Sequence, residues 1–168
     1  MEFVCKSCGK PHELDNLSFG ADSPSHWTWL TQDEQRQSEL SSDQCIINAR
    51  GETHYFVRGC LEIPIQSSGR VFVWGVWTSL SEKSFDLMHD NWDNPKRTEL
   101  PPCFGWLCTG IPSYPDTMYL KTHVHQREVG QRPLVVLEPT DHPLAVHQRN
   151  GISTAELERI VTSVLHKD

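Results

Sequence analysis

The chain contains no apolar run approaching the ~20 residues that cross a bilayer, and its start, Met1-Glu2-Phe3-Val4-Cys5-Lys6, has neither the basic nor the apolar segment of a secretory leader. These two absences predict a cytoplasmic protein with no membrane partner. Several catalytic signatures are missing as well. There is no serine nucleophile elbow, phosphate-binding loop, glycine-rich dinucleotide turn or His-Glu-x-x-His helix, which removes most familiar enzyme classes. Positive charge is scarce, with 15 Lys plus Arg against 22 Asp plus Glu and a net charge of −7. A surface of that sign repels phosphate backbones and disfavours nucleic acid. It suits a protein that docks on a basic partner.

What is present begins with six cysteines. In a reducing compartment they read as metal ligands or small apolar groups rather than disulfides. Cys5-Lys6-Ser7-Cys8-Gly9 is the sharpest motif. Two thiolates three positions apart can point at one cation while the glycine lets the backbone turn beneath them, the pattern of a zinc knuckle. Cys8-Gly9-Lys10-Pro11 is a poor helix opening, which argues against a thioredoxin-like redox pair. A structural zinc takes four ligands, and no second Cys-x-x-Cys follows. His12 is within chain reach, Cys45 is the favoured fourth ligand, and His26 is a weaker choice. Cys60, Cys103 and Cys108 lie in or beside apolar segments, where a thiol serves as a small hydrophobe.

At 168 residues the chain fits one domain, 1–168, that buries roughly 70% of its unfolded surface and needs no metal to fold. Residues 1–30 read as a knuckle segment packed on the body. Thr31-Gln32-Asp33-Glu34 is a capping box that predicts a helix through Leu40. Strands are predicted from Cys45 and from Tyr55, over Leu61–Ile65 with Pro64 marking an edge, and over Val71–Thr78 after a hairpin turn at 67–70. Ser81 caps a helix carrying Phe85, Met88 and Trp92. Further strands are predicted over 104–107, 118–125 and 134–137. A second capping box, Ser153 to Glu156, opens a helix through Leu165. The predicted class is α+β: a mainly antiparallel sheet flanked by helices, with an N-terminal zinc knuckle.

Several longer runs are also distinctive: Cys5-x-x-Cys8-Gly9-x-x-His12, Phe19-Gly20-Ala21-Asp22, Phe56-Val57-Arg58-Gly59, Trp74-Gly75-Val76-Trp77-x-Ser79-Leu80, Phe104-Gly105-Trp106-Leu107, Pro112-x-Tyr114-Pro115-x-Thr117, Leu120-Lys121-Thr122, Gly130-x-Arg132-Pro133, Leu137 through Leu144, and Gln148-Arg149-x-Gly151-Ile152. Together they resemble the bacterial family catalogued as domain of unknown function 2199 over nearly the whole length. The resemblance implies a bacterial, stand-alone, soluble protein and brings no activity with it.

The polar stretch from 121 to 149 is the other candidate site. Lys121, His123, Arg132, His142 and Arg149 could form a pocket for an anion or carboxylate, since arginine offers a rigid bidentate fork. They could equally pair internally with Glu128, Glu138 and Asp141. His123 and His125 share a strand face and, with His142, could hold a catalytic metal. A solvated strand face is the competing reading. Trp74, Trp77, Phe104 and Trp106 read as core rather than a stacking platform. Two functions follow: a zinc-binding protein-docking or regulatory module, such as an immunity-type inhibitor of a basic toxin, or a small metal-dependent hydrolase acting on an acidic substrate. The lack of a nucleophile motif and the acidic balance favour the first.

Overall fold

The computed structural model describes residues 2–13 and 18–166. Its centre is a long hairpin, β6 (Glu52–Ile65) and β7 (Arg70–Leu80), paired antiparallel from Tyr55↔Leu80 to Ile65↔Arg70. The two predicted strands at Tyr55 and Leu61 are one strand, because β7 pairs continuously along both. Ser67 and Gly69 take positive φ (61° and 69°) to turn the chain between β6 and β7, as the Ser-Ser-Gly-Arg sequence anticipates.

Three shorter strands continue the meander: β8 (Cys103–Leu107), β9 (Lys121–His125) and β10 (Leu134–Leu137), each antiparallel to its predecessor. The sheet then closes, since β10 pairs with β6 at Leu134↔Cys60 and the Cys60 N–H donates to the Pro133 carbonyl at 2.8 Å. In a meander of five strands the first and last run the same way, so this closing pair has to be parallel. The result is a five-stranded barrel with no free edge at the seam, a closure that the expected antiparallel sheet flanked by helices did not include.

Each long strand has room for a second partner beyond the barrel. β5 (Gln44–Ala49) pairs with the first half of β6, and β4 (Glu39–Leu40) adds outside it. β3 (Ser18–Gly20) pairs parallel to β7, Gly20 opposite Gly75. The helix predicted to run to Leu40 stops early for this reason. Helix α2 (Gln32–Arg36) keeps its full Thr31–Glu34 capping box, but Glu39 and Leu40 go to the sheet. A short α1 (Ser25–Thr28) precedes it within the segment 1–30.

Alternation along β7 builds two layers. Phe72, Trp74, Val76 and Leu80 face the barrel interior with Leu61, Ile63, Leu107, Val124 and Val135. The helices α3 (Glu82–Asp90), α4 (Pro143–Asn150) and α5 (Thr154–Leu165) extend this core with Phe85 and Met88, Leu144 and Ala145, and Leu157, Ile160 and Val161. Trp77, three positions from Trp74, lies on the outer face with Cys45, Ile47, Phe56 and Cys108, under Trp27, Leu30 and Met118. One loop is fixed from inside. The buried Arg97 (2% exposed) donates to the carbonyls of Trp92, Arg127, Glu128 and Gln131 at 2.6–2.7 Å.

Candidate metal centre

A two-stranded ribbon, β1 (Glu2–Val4) and β2 (Pro11–Glu13), carries the Cys-x-x-Cys loop. The Cys5 N–H donates to the Lys10 carbonyl at 3.0 Å and the Gly9 N–H to the Cys5 carbonyl at 2.8 Å. Gly9 takes φ +68°, a conformation that costs a residue with a Cβ but not glycine. The loop thus curls both thiols to one side. Phe3 anchors the ribbon in the barrel core and stacks near the His12 ring at 5.7 Å.

The fourth donor comes from the far end of the chain. His166 caps the C-terminus of α5, and its Nε2 lies 3.1 Å from Cys5 Sγ, while His12 Nε2 lies 3.4 Å from Cys8 Sγ. One ligand atom from each of Cys5, Cys8, His12 and His166 lies within 4.8 Å of all the others. A tetrahedral ion with metal–sulfur bonds of about 2.3 Å and metal–nitrogen bonds of about 2.0 Å would set its ligand atoms about 3.3–3.8 Å apart. Donor set and spacing therefore fit a metal ion held by four protein groups. Burial by itself raises the Cys5 thiol pKa. Hydrogen bonds from the Cys8 and Ser7 backbone, from the Cys8 side chain and from the Thr162 hydroxyl outweigh it and bring the pKa down to about 6. That thiol is poised as a thiolate, the form a metal binds.

Cys45 is not part of this group. It pairs opposite Phe56 in β5 and is 1% exposed in the outer apolar layer, where burial pushes its thiol up to about 12. A strand residue on that face cannot turn toward the ribbon without leaving the layer. His26 is also placed elsewhere, bonded to the Tyr119 hydroxyl at 2.9 Å and packed on Trp29 and Phe56. The signal for His166 was slight: a histidine one position past the last apolar residue of an amphipathic helix. Only the packing of α5 beside β1 gives it meaning.

The polar stretch is distributed over three places. Lys121 and His123 share the outer face of β9. Lys121 Nζ lies 6.0 Å from the Trp106 ring centroid, and His123 Nε2 is 3.2 Å from Glu138. Arg132 is paired with Asp43 at 2.8 Å, where burial alone would raise the Asp43 pKa but hydrogen bonds from Arg132 and Ser42 hold it below its ordinary value. His142 caps α4, accepting the Leu144 N–H at Nδ1 and donating from Nε2 to the Asp116 carbonyl at 3.0 Å; Arg149 donates to the Thr140 carbonyl beside it. His142 thus opens a helix not anticipated from the sequence. Of the four aromatics read as core, Trp74 and Trp77 are buried, while Phe104 and Trp106 stand outside the barrel, each 41% exposed.

Among the described residues no helix is long and apolar enough to cross a membrane. No curated protein and no solved structure matches the chain. The profile of an uncharacterized protein family conserved in bacteria (DUF2199) matches residues 4–152, a stretch that includes Cys5, Cys8 and His12 and stops short of His166. With most of its length matched, the chain belongs to that bacterial family of uncharacterized proteins.

Proposed function

We propose that Cys5, Cys8, His12 and His166 hold one structural zinc that staples the N-terminal ribbon to the end of α5, and that the stapled barrel serves as a binding module for a basic protein partner. The convergence of four protein donors carries this reading. Structural zinc sites are closed by four protein ligands, whereas catalytic sites keep a position open for water or substrate. Two thiols and two imidazoles also suit zinc better than the oxygen-seeking calcium or magnesium. Two of the three imidazoles that a second, catalytic metal would require have other partners, His123 with Glu138 and His142 as a helix cap. The net charge of −7 supplies the preference for a basic partner.

Metal analysis of the purified chain tests the staple: about one zinc per chain is expected, lost in Cys5→Ser and His166→Ala and kept in Cys45→Ser. Zinc retained by His166→Ala would overturn the closed site. For the binding role, selection from a random phage-displayed peptide library against the zinc-loaded chain is expected to enrich Lys- and Arg-containing sequences. A selection that enriches none rejects that role.

A further inference from the structure

The outer surface around α3 combines exposed apolar groups with a stripe of acids. Phe104 and Trp106 alternate outward from β8 as an edge-to-face pair 5.2 Å apart. They wall a groove of ≈ 500 Å³ with Ser79, Glu82, Ser84 and Tyr55. A second groove of ≈ 490 Å³ runs along α3 over Glu82, Lys83, Asp86, Leu87 and Asp90. A third, of ≈ 430 Å³, lies between α3 and β4–β5, lined by Leu40, Tyr55, Asp86 and His89 among others. The first and third grooves both border Tyr55, the first and second Glu82, and the second and third Asp86, so together they trace one channelled surface from Trp106 to Leu40. Large apolar side chains are exposed along it: Leu40 37%, Leu87 36%, Phe104 41% and Trp106 41%.

The charge along α3 is net negative, with Glu82, Asp86 and Asp90 against Lys83. Glu82, Asp86 and Asp90 stand at i, i+4 and i+8, one stripe of the helix, where like charges repel. Among the described residues no ion pair reaches any of the three. A neighbour responds: burial first, then the charge of Glu82 and the hydrogen bond the phenol donates to it, then the charge of Asp86, raise the Tyr55 phenol above its ordinary value. Aromatic and aliphatic anchors beside an excess of carboxylates are complementary to lysine and arginine side chains, whose stems pack on apolar surface while their heads take the charge or the ring face.

We infer that the channel around α3, from Trp106 past Glu82 and Asp86 to Leu40, is the docking site for a basic, partly apolar segment of another protein. This rests on the binding role proposed above and names its surface. Phe104 and Trp106 anchor the segment, and the α3 carboxylates select its charge.

The test uses the full zinc-loaded chain and a fluorescein-labelled peptide of four Lys-Leu-Arg repeats, read by fluorescence anisotropy. Glu82→Lys/Asp86→Lys/Asp90→Lys is expected to weaken binding at least about tenfold, and Phe104→Ala/Trp106→Ala by a similar factor. A control triple, Asp33→Lys/Glu99→Lys/Glu128→Lys, has the same net charge and should change affinity less than about twofold. In a ¹H–¹⁵N spectrum the Trp106 indole should shift on titration, which assigns the site even where a variant folds poorly. Equal losses in both triples, with no Trp106 shift, would show attraction to net charge only and overturn the site while leaving the binding role standing. An unmodified chain that does not bind the peptide overturns both.

Discussion

Two side chains show how much a single residue's surroundings decide. Cys5 and Cys45 are both fully buried thiols, yet one is held near 6 by hydrogen-bond donors around its sulfur and the other is driven to about 12 by apolar neighbours. Cys5 should therefore react with a thiol reagent whenever the ribbon opens in the metal-free chain and more slowly once zinc is added, while Cys45 stays inert in both. Mass mapping of partly alkylated protein checks this, and modification of Cys45 before Cys5 would contradict it. Arg97 is the second case. Its guanidinium satisfies four buried carbonyls at once, so Arg97→Ala should lower the unfolding free energy by about 3 kcal/mol or more, since each abandoned carbonyl costs about 1–3 kcal/mol. Arg97→Lys should recover little, because an ammonium cannot reproduce the planar fork. Denaturant unfolding of both variants measures the difference. In the sequence Lys96-Arg97-Thr98-Glu99 looks like any solvated loop. No local pattern distinguishes an arginine that four distant carbonyls will surround.

At the level of elements, local chemistry was legible and pairing was not. Thr31 with Glu34 forms the full capping box foreseen, and Ser153 accepts the Glu156 N–H as foreseen. Glu156 does not return the bond, because Arg159 claims its carboxylate at 2.6 Å. The barrel's closure depends on glycines whose role appears only in three dimensions. A Cβ on Gly59 would lie 2.6 Å from Val135 and 2.9 Å from the Pro133 carbonyl, at the seam. A Cβ on Gly105 would lie 2.4 Å from Thr78 and 2.6 Å from the Ser79 carbonyl. Backbone atoms cannot move aside cheaply, so Gly59→Ala and Gly105→Ala should each cost about 1–3 kcal/mol, the usual range for overpacking. At about 2–4 °C per kcal/mol for a chain of this size, thermal melts resolve such a loss. A melting temperature unchanged in Gly59→Ala would mean the β10–β6 seam is not closed as described.

For the whole molecule, the proposed zinc would join residues near both ends of the described chain, while the apolar core is built from the barrel and helices apart from it. Chelation should lower the melting temperature by several degrees and leave the far-ultraviolet circular dichroism largely intact. Complete unfolding on chelation would show the site to be the source of the fold rather than a staple. Acid should act separately. Burial, aided by His54, lowers the pKa of His26, and burial likewise lowers that of His147. The folded state thus prefers both rings neutral. Their contribution is complete above the unfolded pKa of about 6.5 and is lost as pH falls from there toward the folded values. Metal-free protein should be less stable at pH 5.5 than at pH 7.5, and His26→Phe should narrow that gap. Denaturant titrations at the two pH values check the sign.

Period and spacing in the sequence determined the α+β class, the long apolar strand at β7, the capped helices and the curled Cys-x-x-Cys loop, because each depends on residues within a few positions of one another. The family was legible for the same reason, as a succession of short runs. Three features were decided only by the tertiary structure. These are the parallel seam that closes the barrel, the choice of His166 over Cys45 beside Cys5, and the outward placement of Phe104 and Trp106 but not Trp74 and Trp77. Alternation gives two faces to a strand without saying which one meets the core. A ligand set spanning residues 5 to 166 exists only once α5 has packed against the barrel beside β1.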